Sequence, residues 1–152
     1  METVGLVNKV SIIAWTVALL GAITTIGVTG QPPTARSVLS GIYSEEQAVH
    51  GQALYYQHCL QCHGEMMNGV DQAPPLAGPQ FSGIWSGETL WSLVERIGTM
   101  PPDKPGTLTD QESVNILVYM LWFNGFPLGK TSLATDKNVL TEINFETSPV
   151  DN

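Results

Sequence analysis

The feature that most constrains the fold of this chain is the run Cys59-Leu60-Gln61-Cys62-His63, which contains both of its cysteines. Cys-x-x-Cys-His is the spacing of a c-type haem attachment site. Residues three apart on a helical turn face the same way, so both sulfurs can reach the two vinyl groups of one porphyrin. His63 then follows beneath the iron. The motif therefore predicts a chain folded around one covalently bound haem, with His63 as its first axial ligand.

Two other interpretations of the cysteine pair exist. A redox-active dithiol would want a βαβ pattern, which the sequence lacks. A zinc site would need four ligands at workable spacing. The other histidines, His50 and His58, lie on a predicted helix, where solvent-facing side chains are the simpler interpretation. Haem is the interpretation we favour, because the chain also carries an export segment.

The N-terminal part indicates export. No side chain ionises in the 19 residues of Val10–Val28, one lysine precedes this run, and small or polar residues follow it. Gly30 and Gln31 could flank a signal-peptidase site, but the run is also just long enough to span a bilayer. Residues 1–30 are thus predicted to be a signal peptide or a membrane anchor, with the rest of the protein in the periplasm.

Length and charge limit the site and its partners. A chain of 152 residues suits one compact domain with a modest core and a single cofactor site. Acidic residues outnumber basic ones 14 to 6, for a formal net charge of −8. No cluster of lysines or arginines is present, which argues against nucleic acid as a partner.

Capping signals and apolar spacing predict three helices. Ser44 with a glutamine three residues on resembles a capping box and begins a helix that ends at the cysteine motif. Residues 87–97 show apolar residues at helical spacing. Thr109 with Glu112 repeats the capping box and begins a helix that ends before Gly125. The stretch that follows His63, through Pro79, is rich in Gly, Pro and Asn and is expected to be irregular.

A second axial ligand must reach the opposite face of the porphyrin. Met100 is the candidate, because Met66 and Met67 lie too close to the axial histidine and a further methionine belongs to the last helix. Pro101 and Pro102 restrict the chain around Met100, so a loop could present its thioether without relaxing away. The alternative is that Met100 only fills core space.

The attachment motif, the downstream Met-Pro and the order of helices resemble the class I c-type cytochromes over residues 44–128. The resemblance implies an all-α fold of three to five helices wrapped around one covalently bound haem c. It implies that the carbonyl of Pro74 accepts a hydrogen bond from the axial histidine and that Leu76 packs on the porphyrin. Trp85 is similar to a tryptophan that donates to a haem propionate in some relatives; the alternative is an ordinary half-buried tryptophan.

The same resemblance implies how the domain is organised. Gly51 and Tyr55 look like the residues that meet an aromatic of the last helix, here Tyr119. Residues 31–43 are predicted to be a linker between the export segment and the domain. Residues 129–152 are predicted to be a C-terminal extension whose apolar side chains drape over the domain.

A six-coordinate His/Met iron leaves no open position for a substrate, so the expected function is electron transfer and not catalysis. The ending Asn124–Gly129 is similar to cytochromes that accompany periplasmic dehydrogenases, which implies such a donor and an oxidase or another cytochrome as acceptor. The chain lacks the lysine ring of mitochondrial cytochrome c, so partners with basic or neutral patches are expected.

Two further functions stay open on the residues alone. One is a fixed cytochrome subunit of a dehydrogenase complex, docked through the tail from residue 126 onward. The other is a haem enzyme or gas sensor in which Met100 leaves the iron readily.

Overall fold

The computed structural model describes residues 36–147. The predicted signal peptide or anchor, residues 1–30, lies outside them, as do residues 31–35 and 148–152. The described part contains β1 (Arg36–Ser37), a 3-10 turn (Val38–Ser40), α1 (Glu45–His58), α2 (Leu60–His63), α3 (Gly78–Trp85), α4 (Leu90–Gly98), α5 (Asp110–Phe123), α6 (Lys137–Thr141) and β2 (Ile143–Asn144). Within it, no helix combines the length and the apolar character needed to cross a bilayer. The predicted all-α class is confirmed, with one two-stranded parallel pairing of β1 and β2 in addition.

The capping signals at the first and last predicted helices act differently. Thr109 and Glu112 form a full capping box at the start of α5, with both reciprocal bonds present. Ser44 accepts the N–H of Gln47 at 3.3 Å, which caps α1. The side chain of Gln47 does not return to Ser44, however. It brackets the main chain of Leu133, accepting its N–H at 2.7 Å and donating to its carbonyl at 3.0 Å. Gln47 thus attaches the C-terminal extension to α1.

Helices α1 and α5 cross at very short distance, as predicted for Gly51, Tyr55 and Tyr119. A Cβ on Gly51 would lie 1.8 Å from the carbonyl oxygen of Asn115, so only glycine fits there. One turn further along, the rings of Tyr55 and Tyr119 pack with centroids 5.3 Å apart. The predicted helix contact is confirmed, and it forms the centre of the core.

A helix absent from the sequence prediction, α3, begins at the Gly78-Pro79 pair. Proline in the first turn of a helix loses no hydrogen bond, because the first amides have no partner within the helix. The irregular stretch predicted after His63 therefore ends at Ala77, earlier than expected. The short helix α6 was also missed; it begins at Asp136, whose carboxylate accepts the N–H of Asn138 at 2.8 Å.

The folded part begins before Ser44. Val38 and Tyr43 are fully buried, and the N–H of Gly129 donates to the carbonyl of Tyr43 at 2.7 Å. The linker predicted for residues 31–43 is therefore wrong from residue 36 onward. Proline and glycine nearby suggested a linker, but the apolar side chains of this segment cover the core instead.

The C-terminal extension packs against the domain as predicted. Leu140, Ile143 and Phe145 are fully buried and Leu133 nearly so. Phe145 stacks edge-on against Phe81, at a centroid distance of 5.5 Å. The extension thus contributes to the hydrophobic core as far as Phe145.

Candidate functional site

A cavity of about 250 Å³ opens beside the cysteine motif. Its walls come from the end of α1, from α2, from the loop before α3, and from α3, α4, α5 and the turn after α4. The predicted site residues all line it: Cys59, Cys62, His63, Pro74, Leu76, Trp85 and Met100. The remaining lining residues are mostly apolar: His58, Pro75, Phe81, Ile84, Leu93, Arg96, Ile97, Pro101, Pro102, Ile116 and Met120.

The cysteine motif forms a turn of helix at the mouth of the cavity. Cys59 closes α1, and its carbonyl accepts the N–H of His63 at 2.9 Å, so the motif keeps helical geometry. Cys59 is buried and Cys62 is exposed. Burial raises the pKa of the Cys59 thiol to about 11, and the neighbouring Cys62 adds to this. A redox dithiol depends on a lowered thiol pKa, so the Cys59 thiol is unlike the reactive thiol of such a site.

His63 is oriented by a backbone acceptor. Its Nδ1 lies 2.9 Å from the carbonyl oxygen of Pro74. A carbonyl only accepts, so Nδ1 carries the proton and donates, which leaves the lone pair of Nε2 free for a metal. Burial lowers the pKa of His63; the bond to Pro74 acts in the opposite direction, and the nearby Arg96 lowers it further.

Arg96 was not among the predicted site residues. It is the one charged side chain that lines the cavity apart from the histidines, within the part of the chain that the structure describes. Arg96 lies on α4 between Leu93 and Ile97, which also line the cavity. That placement next to the apolar stripe of α4 is the signal that could have identified it. A guanidinium at this position is a suitable partner for a carboxylate.

The residues present fit a haem c. The cavity offers two thiols for thioether bonds, a histidine with a free Nε2, a methionine thioether, apolar walls and one cationic side chain. Residues 36–147 contain no group of three or more His, Cys, Asp or Glu side chains that could hold a metal ion, as a zinc site would need.

Comparison with known proteins agrees with this chemistry. A family model described as cytochrome c oxidase, cbb3-type, subunit III matches residues 46–120. No curated protein matches the sequence. A chain in the crystal structure of the sulfane dehydrogenase SoxCD from Paracoccus pantotrophus superposes with a TM-score of 0.48 at 19% identity. That alignment covers 71% of this chain and 62% of the SoxCD chain, so the protein spans less than two thirds of the length of the chain it matches.

The fold and the site thus define a c-type cytochrome. Residues 46–120 form a class I c-type cytochrome domain, and its cofactor is covalently bound haem c. Domains of this class carry electrons.

Proposed function

We propose that this protein carries single electrons in the periplasm, from a dehydrogenase to a respiratory acceptor such as an oxidase or another cytochrome. The supporting observation is that His63 and Met100 line one cavity beside the attachment motif. Two protein ligands on opposite faces of the porphyrin would leave no position for a substrate. The protein is therefore proposed to act as a carrier and not as an enzyme.

The proposed ligand set follows from the chemistry of each side chain. Cys59 and Cys62 would form the thioether bonds to haem c, which would supply a one-electron change at its iron. His63 would bind the iron through Nε2, while its Nδ1–H donates to the carbonyl of Pro74. Met100 provides a soft thioether, which favours the reduced iron and raises the potential.

The surrounding residues isolate the site and balance its charge. Leu76 would pack against a porphyrin held in the cavity, and its apolar neighbours would keep water from the iron. Arg96 would pair with a propionate, since it is the cationic side chain of the described lining. Trp85, half-buried in the same lining, is proposed as a second propionate donor.

The surface chemistry limits the redox partners. The whole chain has a formal net charge of −8, so a partner with a strongly acidic docking face would be repelled. Ile84 lines the cavity and is 59% exposed, which gives the site an apolar edge for contact. Partners should therefore present neutral or basic surfaces, and brief docking over a small area suits a carrier. Export by residues 1–30, cleaved or retained as a tether, supports the periplasmic location.

The alternative of a fixed subunit docked through its tail gains no support from the tail itself. Leu128 is 45% exposed, but Leu133, Leu140, Ile143 and Phe145 are buried in the protein's own core. They are not free to cover a partner.

Substitution of Met100 tests the proposal. The wild type should give a low-spin ferric spectrum with a weak sulfur-to-iron band, and Met100→Ala should give a high-spin ferric form that binds carbon monoxide quickly once reduced. Met66→Ala is the matched control, because Met66 is 66% exposed and lies outside the cavity lining. A wild type that is already high-spin would overturn the carrier proposal in favour of a haem enzyme or gas sensor. A Met100→Ala protein with an unchanged spectrum would exclude Met100 as the ligand.

A further inference from the structure

We propose that Asn124 is a positioning residue for the axial histidine, so that a side chain at the far end of α5 sets the reduction potential. The inference rests on the proposed function, because it needs His63 as an iron ligand. Asn124 does not line the cavity; it would act through the backbone segment that accepts the Nδ1–H of His63.

Asn124 holds the turn that enters α3. It caps the C-terminus of α5 and is only 3% exposed. Its Nδ2 donates to the carbonyl of Leu76 at 3.0 Å and to the carbonyl of Met120 at 2.8 Å. Its Oδ1 accepts the N–H of Gly78 at 3.0 Å. One buried amide thus fastens both ends of the Leu76–Gly78 turn to α5.

The segment between the Leu76–Gly78 turn and Pro74, whose carbonyl accepts the bond from His63, is short and conformationally restricted. Pro74 lies two residues before Leu76, and Pro75 fixes its own φ and restricts Pro74 to extended conformations. The N–H of Leu76 also donates to the carbonyl of Met67 at 2.7 Å, so the Leu76 peptides are held on both sides. Pro75 leaves few free torsions between the two carbonyls, so a shift of the Leu76 carbonyl is passed on to the Pro74 carbonyl that faces His63, and the bond to Met67 is the remaining restraint.

The position of that carbonyl controls the basicity of the ligand. A strong bond from Nδ1–H to a carbonyl gives the imidazole more anionic character, which stabilises the oxidised iron. Loss of the Asn124 bonds would let the Pro74 carbonyl drift and weaken this bond. The reduction potential should then rise, and the Nδ1–H of His63 should exchange faster with water.

Leucine substitution at Asn124 and at Gln47 separates positioning from stability. Gln47 is a matched control: it is also a buried side-chain amide, 5% exposed, and it fastens the backbone of Leu133 to α1 away from the cavity. Both Asn124→Leu and Gln47→Leu should lower the unfolding temperature of the haem-loaded protein. Only Asn124→Leu should raise the midpoint potential. Only Asn124→Leu should also speed exchange of the His63 Nδ1–H with water, and the rate should rise by about tenfold, as expected for one lost hydrogen bond.

The results have separate meanings. If Asn124→Leu and Gln47→Leu show the same potential and the same exchange rate, the positioning role is overturned while the carrier function stands. A wild-type protein without a low-spin His/Met spectrum would overturn the proposed function itself. If Asn124→Leu does not load haem, Asn124→Ser is measured in the same way. A serine hydroxyl can replace only some of the hydrogen bonds that the Asn124 amide makes to the Leu76–Gly78 turn. A midpoint potential of Asn124→Ser equal to that of Gln47→Leu again overturns the positioning role.

Discussion

Replacement of Gly51 by alanine probes the crossing of α1 and α5 directly. The added Cβ would lie 1.8 Å from the carbonyl oxygen of Asn115 and 2.9 Å from the Cβ of Tyr119. Ordinary contact begins at 3.4 Å, so the shortfall at the carbonyl is 3.4 less 1.8, or 1.6 Å. The Asn115 carbonyl belongs to helix backbone and the Tyr119 Cβ is bonded directly to that backbone, so neither atom can rotate away and the two helices must move apart.

The expected cost follows from the contacts that this movement strains. Overpacking of a well-packed core costs about 1–3 kcal/mol. The Tyr55–Tyr119 ring pair, at 5.3 Å, would loosen and lose up to about 1 kcal/mol. Alanine recovers about 1 kcal/mol over glycine through its helix propensity. With the ring-pair loss counted in full, the net loss for Gly51→Ala should be about 1–3 kcal/mol, which corresponds to roughly 5–10 °C in Tm for a domain of this size.

Gly83→Ala provides the control. Gly83 lies inside α3, and a Cβ there would meet no atom within 4 Å. That variant should gain up to about 1 kcal/mol, because only helix propensity changes. Thermal and guanidinium unfolding of the haem-loaded proteins measures both. A Gly51→Ala protein as stable as the wild type, alongside the expected gain in Gly83→Ala, would show that the helices do not cross this closely.

Three other outcomes are expected. Arg96→Gln should lower the midpoint potential, because removal of a positive charge from the cavity lining favours the oxidised iron; a rise in voltammetry would contradict it. Hydrogen bonds from Thr109 lower the carboxyl pKa of Glu112, and burial plays little part. The ionised Glu112 therefore stabilises the fold fully above the pKa of an unfolded glutamate, and this stabilisation is lost as pH falls through the lower folded pKa. Acid unfolding should therefore be less steep in Glu112→Gln than in the wild type, and identical pH profiles would refute the capping role. Deletion of residues 130–152 should abolish cooperative unfolding. Several buried side chains are removed, each contributing about 2–5 kcal/mol, from a domain whose total free energy of unfolding is about 5–15 kcal/mol. A sharp unfolding transition in the truncated protein would contradict this.

The parts of the site that follow from short-range chemistry were predictable from the sequence. The attachment motif fixes its own geometry through one helical turn, and the capping signals at Ser44 and Thr109 mark the starts of α1 and α5 where the structure has them. The bond from His63 to Pro74 spans only 11 residues, and the resemblance to a known class pointed to it.

The parts that depend on distant pairing were not predictable. Asn124 bonds to Gly78 across 46 residues and to Leu76 across 48. The sequence around Asn124 does not indicate that its side chain binds this distant turn, and the sequence of the turn does not indicate Asn124. The position of Gln47 three residues after Ser44 predicted a capping box, but its side chain bonds to the backbone of Leu133 instead. The local sequence is the same in both cases. In the same way, nothing local distinguishes a linker from a segment that pairs with a strand near the C-terminus.

The pairing of Arg36 with Ile143 bears on the order in which the protein can fold. These partners stand at opposite ends of the folded unit, so the contact between them is among the last that a chain delivered from its N-terminus can make. Until Phe145 is in place, Phe81 lacks the ring that packs edge-on against it. Because Phe81 also lines the cavity beside the cysteine motif, the last residues of the described part help to hold the wall of that cavity.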